Sequence, residues 1–167
     1  MSSRQKRSWL CRSVAQRSLR VYSQDCGPLV PPVPIDAIAN WLGFQIILLS
    51  SVDDACSALV STRDKLIGIN GRHHRRRQRF SLGHELGHIL LKHPPEARCT
   101  SKEIALYNIE ADECAAELLI PQDLLARSLS KIRNIITLAR IFDVSEEAMT
   151  RRLRQMEAAQ TQSAIDS

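Results

Sequence analysis

Residues 80–93 read FSLGHELGHILLKH, and the spacing of His84 and His88, with Glu85 beside the first, decides how the rest of the chain is read. On a helix advancing about 100° per residue, Leu82, Leu86, Ile89 and Leu90 form one apolar stripe, the face that meets a core. The two histidines fall on a different face, about 40° apart, with Glu85 flanking them. Core packing therefore does not account for them, and a solvated surface pair is the plain alternative. Two histidines at i and i+4 ligate one zinc ion from a single helical turn, and the adjacent glutamate then reaches the water that the metal activates. Zinc brings that water's pKa towards ~7, and Glu85 takes its proton and passes it to a leaving amine. The uncharged pair Leu86-Gly87 between the histidines, the apolar run after them and a strand-like segment before them favour the metal. Gly83 and Gly87 leave room for a second element to come close.

A catalytic zinc needs a third protein ligand and an open position. His93 follows His88 by five residues, with Leu91 at the third, so the spacing of a third histidine six residues on, with glycine at the third, is not met. A glutamate from a second helix is the alternative. The segment YNIEADECAAELLIP, residues 107–121, offers Glu110, Glu113 and Glu117. On its helical wheel Tyr107, Ala111, Cys114, Ala115, Leu118 and Leu119 form a buried arc. Glu110 and Asp112 border that arc on its two sides, and Glu113 and Glu117 turn further into solvent. Helix geometry leaves Glu110 and Asp112 both open.

Working outward, the chain has 167 residues, enough for one domain with a hydrophobic core. With 44% apolar and 25% charged residues it reads as a soluble globular protein, and no apolar run approaches a membrane span. Five scattered cysteines without a CxxC pair argue against a disulfide framework and fit a reducing, cytoplasmic setting. The first 23 residues, rich in Arg and Ser, lack the apolar stretch of a secretory signal; the expectation is a helix with Trp9, Val14 and Leu19 turned inward. A proline-rich linker follows. PIDAIANWLG predicts a short helix ended by Gly43, and FQIILL, CSALVST and KLIGIN predict three short strands. Helices are expected over about 78–92, 102–119, 121–130, 133–142 and 145–158. The expected class is α+β: a small three-stranded sheet, with the HExxH helix packed among several others. The expected divisions are a helix and linker at 1–30, a core at 31–132, a helical pair at 133–158 packed on that core and a disordered tail at 159–167. The run GRHHRRRQRF, residues 71–80, reads as a solvated loop before a helix, with an acidic partner or DNA as the functional alternative.

Together, RQRFSLGHELGHILLKH and IEADECAAELLIP resemble the ImmA/IrrE family of metallopeptidases. The family's Arg-x-Phe lead into HExxH is matched by Arg79, Phe80, His84, Glu85 and His88. Its second helix is matched by Glu110, Ala111, Asp112, Ala115, Leu118, Leu119 and Pro121, with Cys114 standing where the family has Phe. The resemblance covers roughly residues 30 to 155. It implies zinc held by His84, His88 and Glu110, with manganese or iron as other occupants of such a site, and Glu85 as general base. It implies that an edge strand, Ile67, Gly68, Ile69 and Asn70, receives substrate as an added β-strand. Asp112, His93 and Tyr107 are candidates for supporting or transition-state roles. A cytoplasmic endopeptidase of narrow range is implied, cutting a helix-turn-helix repressor and so relieving repression of a phage, mobile element or stress regulon.

LARIFDVSEEAMTRRL, residues 138–153, also resembles half of a DNA-binding helix-turn-helix, with Arg151, Arg152 and Arg154 on its second helix. Glu146 and Glu147 open that helix and would repel phosphate, so a packed pair with Leu138, Ile141, Phe142, Val144, Met149 and Leu153 as core is the preferred reading. Two alternatives to the peptidase remain: a DNA-binding regulator, and a zinc protein that sequesters a repressor without cutting it.

Overall fold

Each apolar run in the first half of the chain becomes a short element of the computed structural model, which describes residues 3–165. In chain order these are α1 (Ser3–Cys26), α2 (Ile35–Trp41), β1 (Gln45–Leu49), β2 (Ala58–Ser61) and β3 (Leu66–Asn70). The second half is helical: α3 (Arg75–Leu91), a 3-10 turn (Glu96–Arg98), α4 (Ser101–Leu119), α5 (Gln122–Leu129), α6 (Ile135–Phe142) and α7 (Glu146–Ile165). The class is α+β, as expected. Gly43, at φ +86°, stops α2 in the left-handed backbone region that glycine enters without cost.

The sheet order is β1-β3-β2, with β1 parallel and β2 antiparallel to β3. This corrects the expectation of an edge strand. β3 is the middle strand, so the backbone of Ile67, Gly68, Ile69 and Asn70 is already paired on both sides and offers no edge to an added strand. The free edges belong to β1 and β2. Ile67 and Ile69 instead point into the core, and the Asn70 amide donates to the carbonyls of Cys56 (2.8 Å) and Asp53 (3.2 Å), fastening the loop before β2.

α3 and α4 form the most extensive contact between described elements, and small residues let them come close. Gly83 faces Ala115 and Gly87 faces Ala111, so the two helices run antiparallel through a glycine–alanine seam. A Cβ on Gly87 would stand 2.8 Å from the Ala111 carbonyl oxygen and 2.9 Å from its Cα. Backbone cannot swing aside as a long side chain does. Gly87→Ala is therefore expected to destabilise the chain by about 1–3 kcal/mol, read as a lower melting temperature; an unchanged melt would mean that the seam is looser than its geometry states. α4 itself starts firmly: the Thr100 hydroxyl accepts from the Glu103 N–H, and the Glu103 carboxylate accepts from the Thr100 N–H at 2.8 Å.

α1 lies alongside α4 through Cys11, Ala15, Ser18, Leu19 and Tyr22, a helical i, i+4, i+7, i+8, i+11 series that is buried. Of the expected inward set only Leu19 belongs to it; Val14 is half-buried and Trp9 is 58% exposed. The small side chains of Cys11 and Ala15 bring the helices close, and that rotates the contact face away from the tryptophan.

The basic run is not a loop. Arg75 to Arg79 form the first turns of α3, and Arg79 is buried. Its guanidinium donates to the Val33 carbonyl (2.9 Å) and the Asp143 carbonyl (3.2 Å). Asp143, at φ +51° in the turn between α6 and α7, also accepts from Arg75 at 2.7 Å and stands 3.6 Å from Arg76. Burial works against its ionisation, but Arg75, Arg79 and Arg76 together hold its pKa below the usual carboxylate range. The helical pair packs as expected through Leu138, Phe142, Val144 and Met149, with Ile141 and Leu153 half-buried. The expected disordered tail is helical as far as Ile165; residues 166 and 167, like 1 and 2, lie outside the described residues.

Candidate metal centre

α3 carries His84 and His88 out of the seam on one side, and their Nε2 atoms meet 3.0 Å apart. Two imidazoles bound to one tetrahedral zinc at ~2.0–2.1 Å would hold these atoms roughly 3.3 Å apart. The Nδ1 atom of His84 is 2.8 Å from Asp112 Oδ1 on α4, the carboxylate–histidine arrangement that turns a ring towards a metal. His88 Nδ1 is 2.9 Å from His93 Nδ1, and His93 Nε2 is 3.0 Å from Glu110 Oε2. The His93 ring stacks on Tyr107 with centroids 4.4 Å apart.

Burial opposes charge on His84, but the hydrogen bond and charge of Asp112 outweigh it and raise its pKa. His88 is pushed down to about 4, first by burial and then by the charges of His84 and His93, and burial lowers His93 as well. The two Nε2 atoms converge on the point where a cation would bind. Two converging nitrogens, one backed by a carboxylate, fit zinc at that point.

Glu110, the third ligand implied by the resemblance, faces other partners in this structure. Glu110 is half-buried, and its second oxygen accepts from Arg7 of α1 at 2.8 Å. Its carboxylate is thus engaged by His93 and Arg7, and no group of three His, Cys, Asp or Glu side chains suited to a metal ion occurs among the described residues. Asp112, the other open choice, is taken up by His84. Of the residues singled out, His84, His88, His93, Tyr107, Glu110 and Asp112 are brought together, whereas Ile67, Gly68, Ile69 and Asn70 belong to the paired middle strand. Cys114 is fully buried, and burial pushes its thiol up to about 12, which makes it a packing residue and not a ligand. Glu85 is half-buried beside His84. Burial raises its pKa, with the charge of His84 opposing and that of Glu96 adding to the rise.

Two participants escape the sequence reading. Asn108 stands close to both His84 and His88 and favours their protonated forms; it lies one turn before Asp112, a spacing that could have flagged it. Arg7 has no local signal, because its partner lies on a distant helix. Asp112→Ala should weaken zinc binding by about 10–100-fold, measured by competition with a chromophoric chelator, and an unchanged affinity would remove Asp112 from the orientation of His84.

Glu117 corrects a further expectation. It does not turn to solvent: it is 1% exposed and paired with Arg152, itself 2% exposed. Arg152, one of the three arginines on which the alternative DNA-binding reading rested, is therefore an internal residue.

Residues 42–154 match the family model of peptidase M78, described as the IrrE N-terminal-like domain. No curated protein matches the chain. Among solved structures, a Mycobacterium tuberculosis transcriptional regulator is similar, with a TM-score of 0.65 and 15% identity over 84% of this chain and 46% of that one. At that identity the likeness shows a shared fold, and this chain spans less than half of the regulator's length. No described helix is long and apolar enough to cross a membrane.

Proposed function

The chain belongs to the peptidase M78 family of IrrE N-terminal-like domains, and from that premise we propose that it is a zinc-dependent endopeptidase whose substrate is a helix-turn-helix repressor. The observation that carries the reading is the meeting of His84 Nε2 and His88 Nε2 at 3.0 Å, with Glu85 between them in sequence. His84 and His88 would hold the metal, and Glu110 is the third ligand that the family pattern assigns. Zinc, when bound, supplies Lewis acidity for hydrolysis of a peptide bond.

The remaining chemistry belongs to the protein. Asp112 fixes the tautomer of His84, leaving Nε2 turned outward. Glu85 accepts a proton from the attacking water and returns it to the departing amine. Its burial makes it a stronger base than an exposed glutamate. His93 and Tyr107, stacked together, close one side of the site.

That the similar mycobacterial protein is a transcriptional regulator accords with a regulatory substrate. The DNA-binding alternative loses support from the helix itself, because Arg152 is engaged with Glu117 inside the protein.

The test has two stages. Elemental analysis should find about one zinc per chain, and His88→Ala should lose it. The loaded protein should then cut the repressor encoded beside its gene at one site, while the variant should not. A folded, zinc-free wild type, or a loaded one that binds the repressor without cutting it, would count against the peptidase.

A further inference from the structure

A cleft of about 400 Å³ opens between the start of α3, the end of α4 and the start of α7. Its floor is apolar, with Phe80, Leu119 and Val144 among the lining residues, and its rim carries Arg76, Arg77 and Arg151. Asp112, whose carboxylate holds His84, also lines it, so the cleft adjoins the candidate metal centre through that residue. Resting on the peptidase reading, we propose that this cleft is a specificity subsite for the polypeptide substrate, taking an apolar side chain flanked by acidic residues.

Charge on the rim is only partly answered within the chain. Arg77 donates to uncharged acceptors, the Asp54 carbonyl (3.5 Å) and the Ser57 hydroxyl (3.2 Å). Arg151 is exposed and has no hydrogen-bond or ion-pair partner among the described residues. Arg76 shares Asp143 with Arg75 and Arg79. Arg152 also borders the cleft, but Glu117 neutralises it; the lining carboxylates are Glu147 and Asp112, the latter engaged by His84. The excess is positive, over an apolar floor, and that combination selects an acidic amphipathic segment. A nucleic-acid duplex is too broad to enter so small a concavity.

Position along α3 sets where on the substrate the acid must lie. Residues 76, 80 and 84 share one helix face at i, i+4 and i+8, so Arg76 lies about 12 Å from the histidine end of the row. Extended peptide covers about 3.3 Å per residue. The acidic position is thus three or four residues from the bond to be cut.

The test uses the full chain carrying Glu85→Gln, so that probes are bound without being cut. Fluorescein-labelled peptides of about ten residues, each with a central Leu flanked by Glu, Gln or Lys, are titrated at low ionic strength and followed by anisotropy. The Glu peptide is expected to bind roughly 5–10-fold tighter than the Gln peptide. Arg151→Glu should erase that preference and favour the Lys peptide; its side chain has no partner to lose, so the fold is kept. Ala148→Trp, filling the floor, should weaken the Glu and Gln peptides alike. Equal binding of Glu and Gln peptides by the parent would overturn the subsite. So would displacement of the peptide by single-stranded DNA whose own binding disappears in Arg151→Glu, since the rim would then serve nucleic acid. If the charge preference holds while the zinc-loaded wild type cuts no repressor, the acidic-peptide site stands and the peptidase reading falls. Cleavage with no charge preference would instead keep the peptidase and remove the subsite.

Discussion

Replacing Glu85 by Gln is expected to lower repressor cleavage by about 10²–10⁴-fold while leaving zinc content and melting temperature unchanged. The substitution keeps the shape of the side chain and removes its basicity. Glu85 is not among the metal donors, so the nitrogens of His84 and His88 remain, and so does the Asp112 contact that orients the first of them. Burial raises the pKa of Glu85 above its ordinary 4.5. The sign of the pH dependence follows from this. A base must be deprotonated to act, so the rate should fall as pH drops through that raised value, giving an acid limb at higher pH than an exposed glutamate would give. Rates measured across the acid range in the wild type, and at neutral pH in the variant, check both statements. A variant that cuts at the wild-type rate would remove Glu85 as the base and leave its burial without a catalytic meaning.

The second large effect concerns stability. Glu117 and Arg152 pair where almost no water reaches. The pair is also the hub of four segments. Glu117 accepts from Gln16 of α1 (3.2 Å) and from the Gln122 N–H at the start of α5 (3.1 Å), and Arg152 donates to the Ile120 carbonyl (3.0 Å). Removing one partner strands the other charge in the interior, which costs about 3–5 kcal/mol. For a chain of this size Arg152→Met alone should therefore lower the melting temperature by about 6–20 °C. Adding Glu117→Gln should recover most of the loss, because the amide oxygen still accepts from Gln122 and no buried charge is left. If the single and double variants melt together, the two charges are not energetically coupled.

Legible in the sequence is what one helix or strand contains within itself. The HExxH face, the Leu82–Leu86 stripe, the seam glycines and the glycine stop at Gly43 are all periodic or local signals. What stays hidden depends on elements distant along the chain. A helical wheel puts Glu117 in solvent because it cannot show Arg152 arriving from α7. The order of the strands is not written in their residues, so β3 reads as an edge although β1 and β2 enclose it. The five arginines look solvated because arginine usually is, yet Arg79 has the Val33 and Asp143 carbonyls waiting inside. At the candidate metal centre the histidines and both carboxylates are visible from their spacing. The turning of Glu110 towards Arg7 is not, since it rests on where α1 lies.

The single carboxylate at the α6–α7 turn has a mechanical meaning. Asp143 is gripped by side chains from successive turns of α3, and its carbonyl by the innermost of them. The α6–α7 turn is thus tied directly to the start of the helix that carries the histidines, so the C-terminal helical pair and α3 share one electrostatic clasp.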